Sequence, residues 1–349
     1  MKQTSITLFA LVLLCGSGTR LLAEPAAPEV ALDGARLYEH VKSAAVEILV
    51  HGRLDGSGWF ASEDGMVVTA AHVVWKRVEK GEGNLEVMSP TLGRLDAQVL
   101  CVDRGHDLAL LRAKVGDQKA PFLNVARAMP EPLEDAFLFG MANFRHDVLI
   151  RGSVARAGTT FEYFDKEASY VEMYHVSAPS PPGTSGGCWV DRRGRVVGNQ
   201  SGFVTLDRVG VGIALVAPPT AIRRLVEERI GARTPTLGCG LEELGSQSVG
   251  YIARFPPRTS GLAPVLLVPG GPADKAKLGD TTLIVAIDGH PVARRDDLLS
   301  RLVAHKPGDS VTLKVLAPDG GKTHDIEIAL GMLEEPPAPP TTVPAATQP

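Results

Sequence analysis

The chain is short of the features that mark a metalloprotein, a nucleic-acid binder or a membrane span. Its 349 residues hold only 4 cysteines, none of them in a Cys-x-x-Cys pair. There is no His-Glu-x-x-His segment either, so neither a metal site nor a cofactor is read from it. Charge of neither sign dominates: 36 Lys and Arg against 40 Asp and Glu leave −4, which singles out neither nucleic acid nor an anionic bilayer as a partner. The apolar run Ile6 to Leu14 is well short of the roughly 20 residues that cross a bilayer. It follows Lys2 and precedes Leu21-Leu22-Ala23, the layout of a signal peptide cut near Ala23. Export to the periplasm or the exterior is therefore expected, with an uncleaved membrane anchor as the alternative. Cys15 would leave with that segment. The remaining Cys101, Cys188 and Cys239 are odd in number and read as buried free thiols, a single disulfide being the alternative in an oxidising compartment.

Glycine and proline are plentiful, at 37 and 26 residues. With many short β-branched runs they point to a strand-rich fold, and the length leans toward two domains. Three segments carry chemistry: Thr69-Ala70-Ala71-His72, then Asp107-Leu108-Ala109-Leu110-Leu111, then Gly183-Thr184-Ser185-Gly186-Gly187. A serine hydroxyl needs a histidine to take its proton and a buried carboxylate to hold the imidazole in the right tautomer. The order His, Asp, Ser is that of chymotrypsin-type chains. Read alone, Gly-x-Ser-x-Gly is a surface turn. Beside the other two segments it reads as a nucleophile loop, with the amides of Gly183 and Ser185 able to converge on one oxyanion. The same five residues also fit a nucleophile elbow, which would recruit Asp288 with His305 or His324. An elbow leads from a strand into a helix, whereas Cys188-Trp189-Val190, the turn Asp191 to Gly194 and Val196-Val197-Gly198 read as a hairpin.

His72 falls just past a predicted strand, Met66 to Thr69, paired through a turn at Glu63, Asp64 and Gly65 with Gly56 to Ala61. His40, His51, His146, His290, His305 and His324 read as structural. His106, beside Asp107, and His175, ten residues before Ser185, have no motif of their own. Asp103 is a second acidic candidate. Asp107 is preferred because Leu108 to Leu111 can bury its carboxylate beside a strand.

These residues resemble the HtrA-like (high-temperature-requirement) serine proteases, trypsin-like double β-barrels followed by PDZ domains. The resemblance runs from about Val41 to Leu330. It rests on Gly56-Ser57-Gly58, Thr69 to Val74, Asp107 to Leu111, Leu138-Phe139-Gly140, Arg151-Gly152-Ser153-Val154, Gly183 to Gly187 and Gly210-Val211-Gly212-Ile213-Ala214. It implies His72 as general base, Asp107 as its orienter, Ser185 as nucleophile, and the Gly183 and Ser185 amides as oxyanion hole. It also places Pro179 at the floor of the substrate pocket, where a carboxylate would select Lys or Arg. Small or aliphatic residues are therefore expected at the cleaved position.

The expected organisation is a signal peptide at 1–23, a trypsin-like protease domain at 24–232, a linker at 233–240, a PDZ-like α+β domain at 241–332 and a disordered Pro-rich tail at 333–349. An amphipathic helix, Pro218 to Ile230, should close the protease domain, with Ile222, Leu225, Val226 and Ile230 on one face. The PDZ resemblance rests on Gly270 to Ala276, Ile284 to Val292, a helix around Asp296 to Val303, and alternating strands after Lys306-Pro307-Gly308-Asp309. Its carboxylate-binding loop is assigned to Gly261, Leu262 and Ala263, although Pro264 has no N–H to donate. Unfolded or misfolded proteins are the implied substrates, C-terminal peptides the implied PDZ ligands and a homotrimer the common assembly. The competing reading is a catalytically latent peptide-binding or chaperone-like protein of the same fold.

Overall fold

A computed structural model describes residues 31–333 except 79–83, 165–167, 208, 230, 232, 280–281 and 319–320. The expected signal peptide, the tail from 334 and Ile230 lie outside the described residues. Six strands close an antiparallel barrel in the order β1-β2-β3-β6-β5-β4: β1 (Ala45–Val50), β2 (Arg53–Phe60), β3 (Met66–Ala70), β4 (Leu85–Ser89), β5 (Gly93–Asp103) and β6 (Leu108–Ala113). Their apolar side chains, among them Ile48, Phe60, Val67 and Leu111, fill its interior. The predicted hairpin is β2–β3, with Trp59 opposite Val68. Gly65 turns it at φ +88°, where a Cβ would stand 2.6 Å from the Ala113 carbonyl, so only glycine fits.

A second barrel follows from β7 (Asp135–Ala142), β8 (Arg145–Val154), β9 (Thr160–Phe164), β10 (Ser169–Ser177), β11 (Cys188–Val190), β12 (Val196–Leu206) and β13 (Val209–Ala217). Its order is β13-β12-β11-β7-β8-β10-β9, closed by pairing of β10 with β13. Helix α1 (Gly34–Ala44) is capped by Asp33 and buries Leu37, Val41 and Ala44 at helical spacing. Helix α2 (Ala71–Val78) leaves β3, and α3 (Pro219–Glu228) leaves β13 with Ile222 and Leu225 inward. Leu37, Val41, Trp59, Leu110, Phe139, Val190, Ile222 and Leu225 form one apolar cluster between the barrels, so burial holds the halves of the cleft together.

The C-terminal domain comprises β14 (Pro235–Thr236), β15 (Gly240–Glu243), α4 (Val249–Ile252), β16 (Leu262–Val265), α5 (Pro272–Lys275), β17 (Leu283–Ile287), β18 (His290–Pro291), α6 (Arg295–Leu302), β19 (Ser310–Leu316), β20 (Thr323–Ala329) and β21 (Gly331–Met332). The main sheet runs β15-β16-β17-β19-β20. Two expectations change here. The stretch assigned to a linker already holds β14, which pairs with β21. The stretch assigned to carboxylate capture lies at the sheet centre: β16 pairs with β15 on one side and β17 on the other, and the Gly261 carbonyl accepts from Leu244 N–H at 2.9 Å. Gly261, Leu262 and Ala263 therefore offer no free edge to a peptide. The edges of that sheet are β15 and β20.

Candidate active site

His72 sits at the start of α2, where β3 delivers it to the cleft. Its Nδ1 donates to Asp107 Oδ2 at 2.7 Å and its backbone N–H donates to Asp107 Oδ1 at 2.9 Å. With Nδ1–H engaged, Nε2 is the basic nitrogen. Asp107 is 5% exposed and lies in the left-handed region at φ +50°. Its Oδ2 also accepts from the hydroxyl of Ser201 on β12. A backbone bond from Ala71 N–H to the Asp107 carbonyl, 3.1 Å, ties the turn to the start of α2. Asp103 does not reach His72: it pairs with His106 at 3.0 Å and Arg224 at 2.8 Å.

The nucleophile loop is shaped by the first barrel. Ser57 N–H donates to the Ser185 carbonyl at 2.8 Å, Ser57 Oγ donates to the Gly183 carbonyl at 2.8 Å, and Ser57 Oγ accepts from Met141 N–H at 3.0 Å. Both loop carbonyls are thereby turned onto β2. Gly186 N–H is used by the Gln200 carbonyl at 2.7 Å and Gly187 N–H by the Thr184 carbonyl at 2.8 Å. The N–H groups of Gly183 and Ser185 donate to no group among the described residues, the pattern an oxyanion site requires. Gly183 has φ +93°, and a Cβ there would stand 2.2 Å from the Met141 carbonyl. The Ser185 hydroxyl donates to the Ser201 carbonyl at 3.3 Å.

Pro179 is exposed. The segment around it is laced to the strands beyond Ser185: Ala178 N–H donates to the Gly212 carbonyl at 2.9 Å and Ser180 Oγ to the Gly202 carbonyl at 3.5 Å. Leu215 and Phe164 approach Gly202, so the flank of that strand is apolar. Asp288 pairs with His305 at 3.3 Å in the C-terminal domain, and Ser185 leads into β11 instead of a helix, so no elbow forms. His175 pairs with Glu162 at 2.8 Å. Ser57 and Ser201 escaped the sequence reading. Ser57 stood in the quoted Gly56-Ser57-Gly58 landmark, whereas Ser201 has no local signal.

A family profile described as trypsin-like peptidase domain matches residues 56–198, and one described as PDZ domain matches 235–330. The chain is HtrA-like, a trypsin-type peptidase domain with a PDZ domain after it. Serine protease HTRA1 of Xenopus tropicalis is 28% identical over 264 residues, 70% of the HtrA-like chain and 53% of the relative. A probable periplasmic serine endoprotease DegP-like of Chlamydia trachomatis is 26% identical over 279 residues, 79% and 53%. The chain thus spans about half the length of these curated relatives. The solved structure of HtrA-type protease AlgW with decapeptide superposes with a TM-score of 0.62 at 17% identity, covering 87% of the HtrA-like chain and 99% of the other. The serine endoprotease from Yersinia pestis gives 0.60 at 17%, covering 88% and 100%.

The PDZ edge of the HtrA-like chain is occupied from within. Between β15 and α6, where an extended peptide would add to the sheet, lie Tyr170 and Phe161 of the second barrel. Tyr170 Oη accepts from Leu241 N–H at 2.7 Å and donates to the Leu241 carbonyl at 3.0 Å. Phe161 packs in the PDZ core with Leu237, Cys239 and Leu299. A space of about 20 Å³ remains among these residues, room for one water. Burial pushes the Tyr170 phenol up to about 12, so it stays neutral.

Proposed function

We propose that this chain is an exported serine endopeptidase that cleaves unfolded or damaged proteins through an acyl-enzyme. The observation that carries the reading is the pairing of His72 with Asp107 beside a loop whose Gly183 and Ser185 amides are unclaimed. Ser185 Oγ attacks the scissile carbonyl while His72 Nε2 takes its proton, and Asp107 stabilises the imidazolium through Nδ1–H. The oxyanion is received by the N–H groups of Gly183 and Ser185, each donor being worth about 3 kcal/mol of barrier. His72 then protonates the leaving amine, and water, deprotonated by the same imidazole, hydrolyses the ester on Ser185. A cleft of about 410 Å³ lined by Ser57, Met88, Met141 and His146 would hold the leaving-group side of the substrate. With Pro179 where a carboxylate would select basic residues, cleavage follows small or aliphatic side chains. Export is supported by the names of periplasmic DegP-like relatives. No helix among the described residues is long and apolar enough to cross a membrane.

The second reading, a latent peptide-binding protein, is favoured by the resting Ser185 rotamer on the Ser201 carbonyl. Labelling the purified protein with a fluorophosphonate, with and without unfolded casein, separates the two. Rapid labelling abolished by Ser185→Ala and His72→Ala supports the peptidase. No labelling of the unsubstituted chain in either condition supports latency. C-terminal peptides are the proposed ligands of the PDZ edge, reached only when Tyr170 leaves Leu241. A homotrimer is the proposed assembly, to be checked by sedimentation.

A further inference from the structure

The turn that delivers Asp107 is held by four charges outside the site just described. His106 Nδ1 lies 3.0 Å from Asp103 Oδ2 and its Nε2 lies 3.3 Å from Glu172 Oε2 on β10. Asp103 is 1% exposed on its side chain and also takes Arg224 Nη2 of α3 at 2.8 Å. Glu172 accepts from Thr159 Oγ1 at 2.7 Å, and its backbone N–H donates to the Gly105 carbonyl at 2.8 Å.

Both ring nitrogens of His106 face carboxylates, so both must carry a proton. Asp103, Glu172, Arg224 and the imidazolium then sum to zero. Arg224 Nη2 is 3.5 Å from His106 Nδ1, a like-charge approach that the two carboxylates offset. Cys101 is the remaining titratable neighbour of Asp103, and its thiol is pushed up by burial, then by that carboxylate, so it stays neutral. Burial by itself would lower the His106 imidazole, but Asp103 and then Glu172 outweigh it and hold it at about 9.

We propose that His106 is a positioning residue for Asp107: clamped between Asp103 and Glu172, it fixes the 103–107 turn so that Asp107 meets the backbone N–H and the ring of His72 together. The inference rests on the peptidase reading of the site. The left-handed backbone at Asp107 is strained and persists only where neighbours over-determine it. Without the cation at 106, the buried carboxylate of Asp103 and the half-buried one of Glu172 face a vacated site with only the part-exposed Arg224 between them. They would move apart and carry the turn with them, and a shift of about 1 Å in a catalytic group can cost about 100-fold in rate.

The test uses the full chain with His106→Gln and Glu172→Gln. Kinetics on an unfolded substrate, fluorophosphonate labelling from pH 6 to 10 and the downfield proton resonance of His72 Nδ1–H are recorded where circular dichroism reports folded protein. His106→Gln should lower kcat at least about tenfold with KM within about twofold, and should broaden or shift the resonance. In the unsubstituted chain an alkaline limb is expected near pH 9, and Glu172→Gln should move it down by about one unit. A folded His106→Gln with unchanged kcat and resonance overturns the proposal. If that variant does not fold, an unmoved limb and resonance in Glu172→Gln overturn it. Should the unsubstituted chain show the resonance but no labelling, the peptidase reading fails alone, and the resonance in the variants still decides the role of His106.

Discussion

Three of the hydrogen bonds of Ser57 end on different parts of the loop around Ser185 or its support: the Ser185 carbonyl, the Gly183 carbonyl and Met141 N–H. Ser57→Ala keeps the first and strands the other two buried groups, a loss of about 1–3 kcal/mol for each unsatisfied partner. Since the Gly183 carbonyl belongs to the loop proposed to present the oxyanion donors, kcat should fall about 10- to 100-fold with KM little changed, as steady-state kinetics can establish. The charges around His106 make a separate prediction about stability. Its folded-state value is raised from 6.5 to about 9, so its contribution is complete below pH 6.5 and is lost as pH climbs through 9. The melting temperature should decline over that window, and His106→Gln should flatten the decline. His72, Asp107 and Ser185 could be proposed from the sequence because each stands in a local pattern imposed by its own strand or turn. Ser57 and Ser201 were not, because their roles are defined by partners on distant strands: Ser201 meets Asp107 across 94 residues of sequence.

The β9–β10 hairpin serves two folds at once. Its roots pair within the second barrel, while Phe161 and Tyr170 lie against β15 and α6 of the PDZ domain. Tyr170→Phe removes the hydroxyl from the Leu241 N–H and carbonyl but keeps the ring, and Tyr170→Ala opens the space as well. Fluorescence anisotropy with labelled C-terminal peptides should show tighter binding in both, at least about fivefold in the second. Affinity unchanged by either substitution would mean the edge is not the binding surface. β19 and β20 fall where alternation placed them, and α6 where the PDZ resemblance put a helix. Which strand lies at the edge was not readable. The run Leu262–Val265 looks the same at an edge or a centre, and only pairing with β15 and β17 decides.

At the scale of the whole molecule, two domains share a polar seam around Asp296 at the start of α6. It accepts from Thr160 Oγ1 at 3.0 Å and Phe161 N–H at 3.3 Å, and meets Arg156 at 3.5 Å. Asp296→Ala should leave both cores folded while hydrogen exchange quickens in β9 and α6, a local loosening without global loss. The thiols report on the cores. Cys188 and Cys239 are pushed up to about 12 by burial, so a disulfide-exchange reagent should reach them only through unfolding, and later than the part-exposed Cys101. The pairing of β14 with β21 has one more consequence. Because Pro235 lies opposite Met332, the PDZ domain is entered and left at a single point, like a door hung on one jamb. Thr234 meets Gly105 there, and the Leu333 carbonyl accepts from Arg104 at 3.3 Å. Were Tyr170 and Asp296 both released, the domain would swing about that jamb without detaching, and a single protease cut at the jamb would suffice to remove it whole.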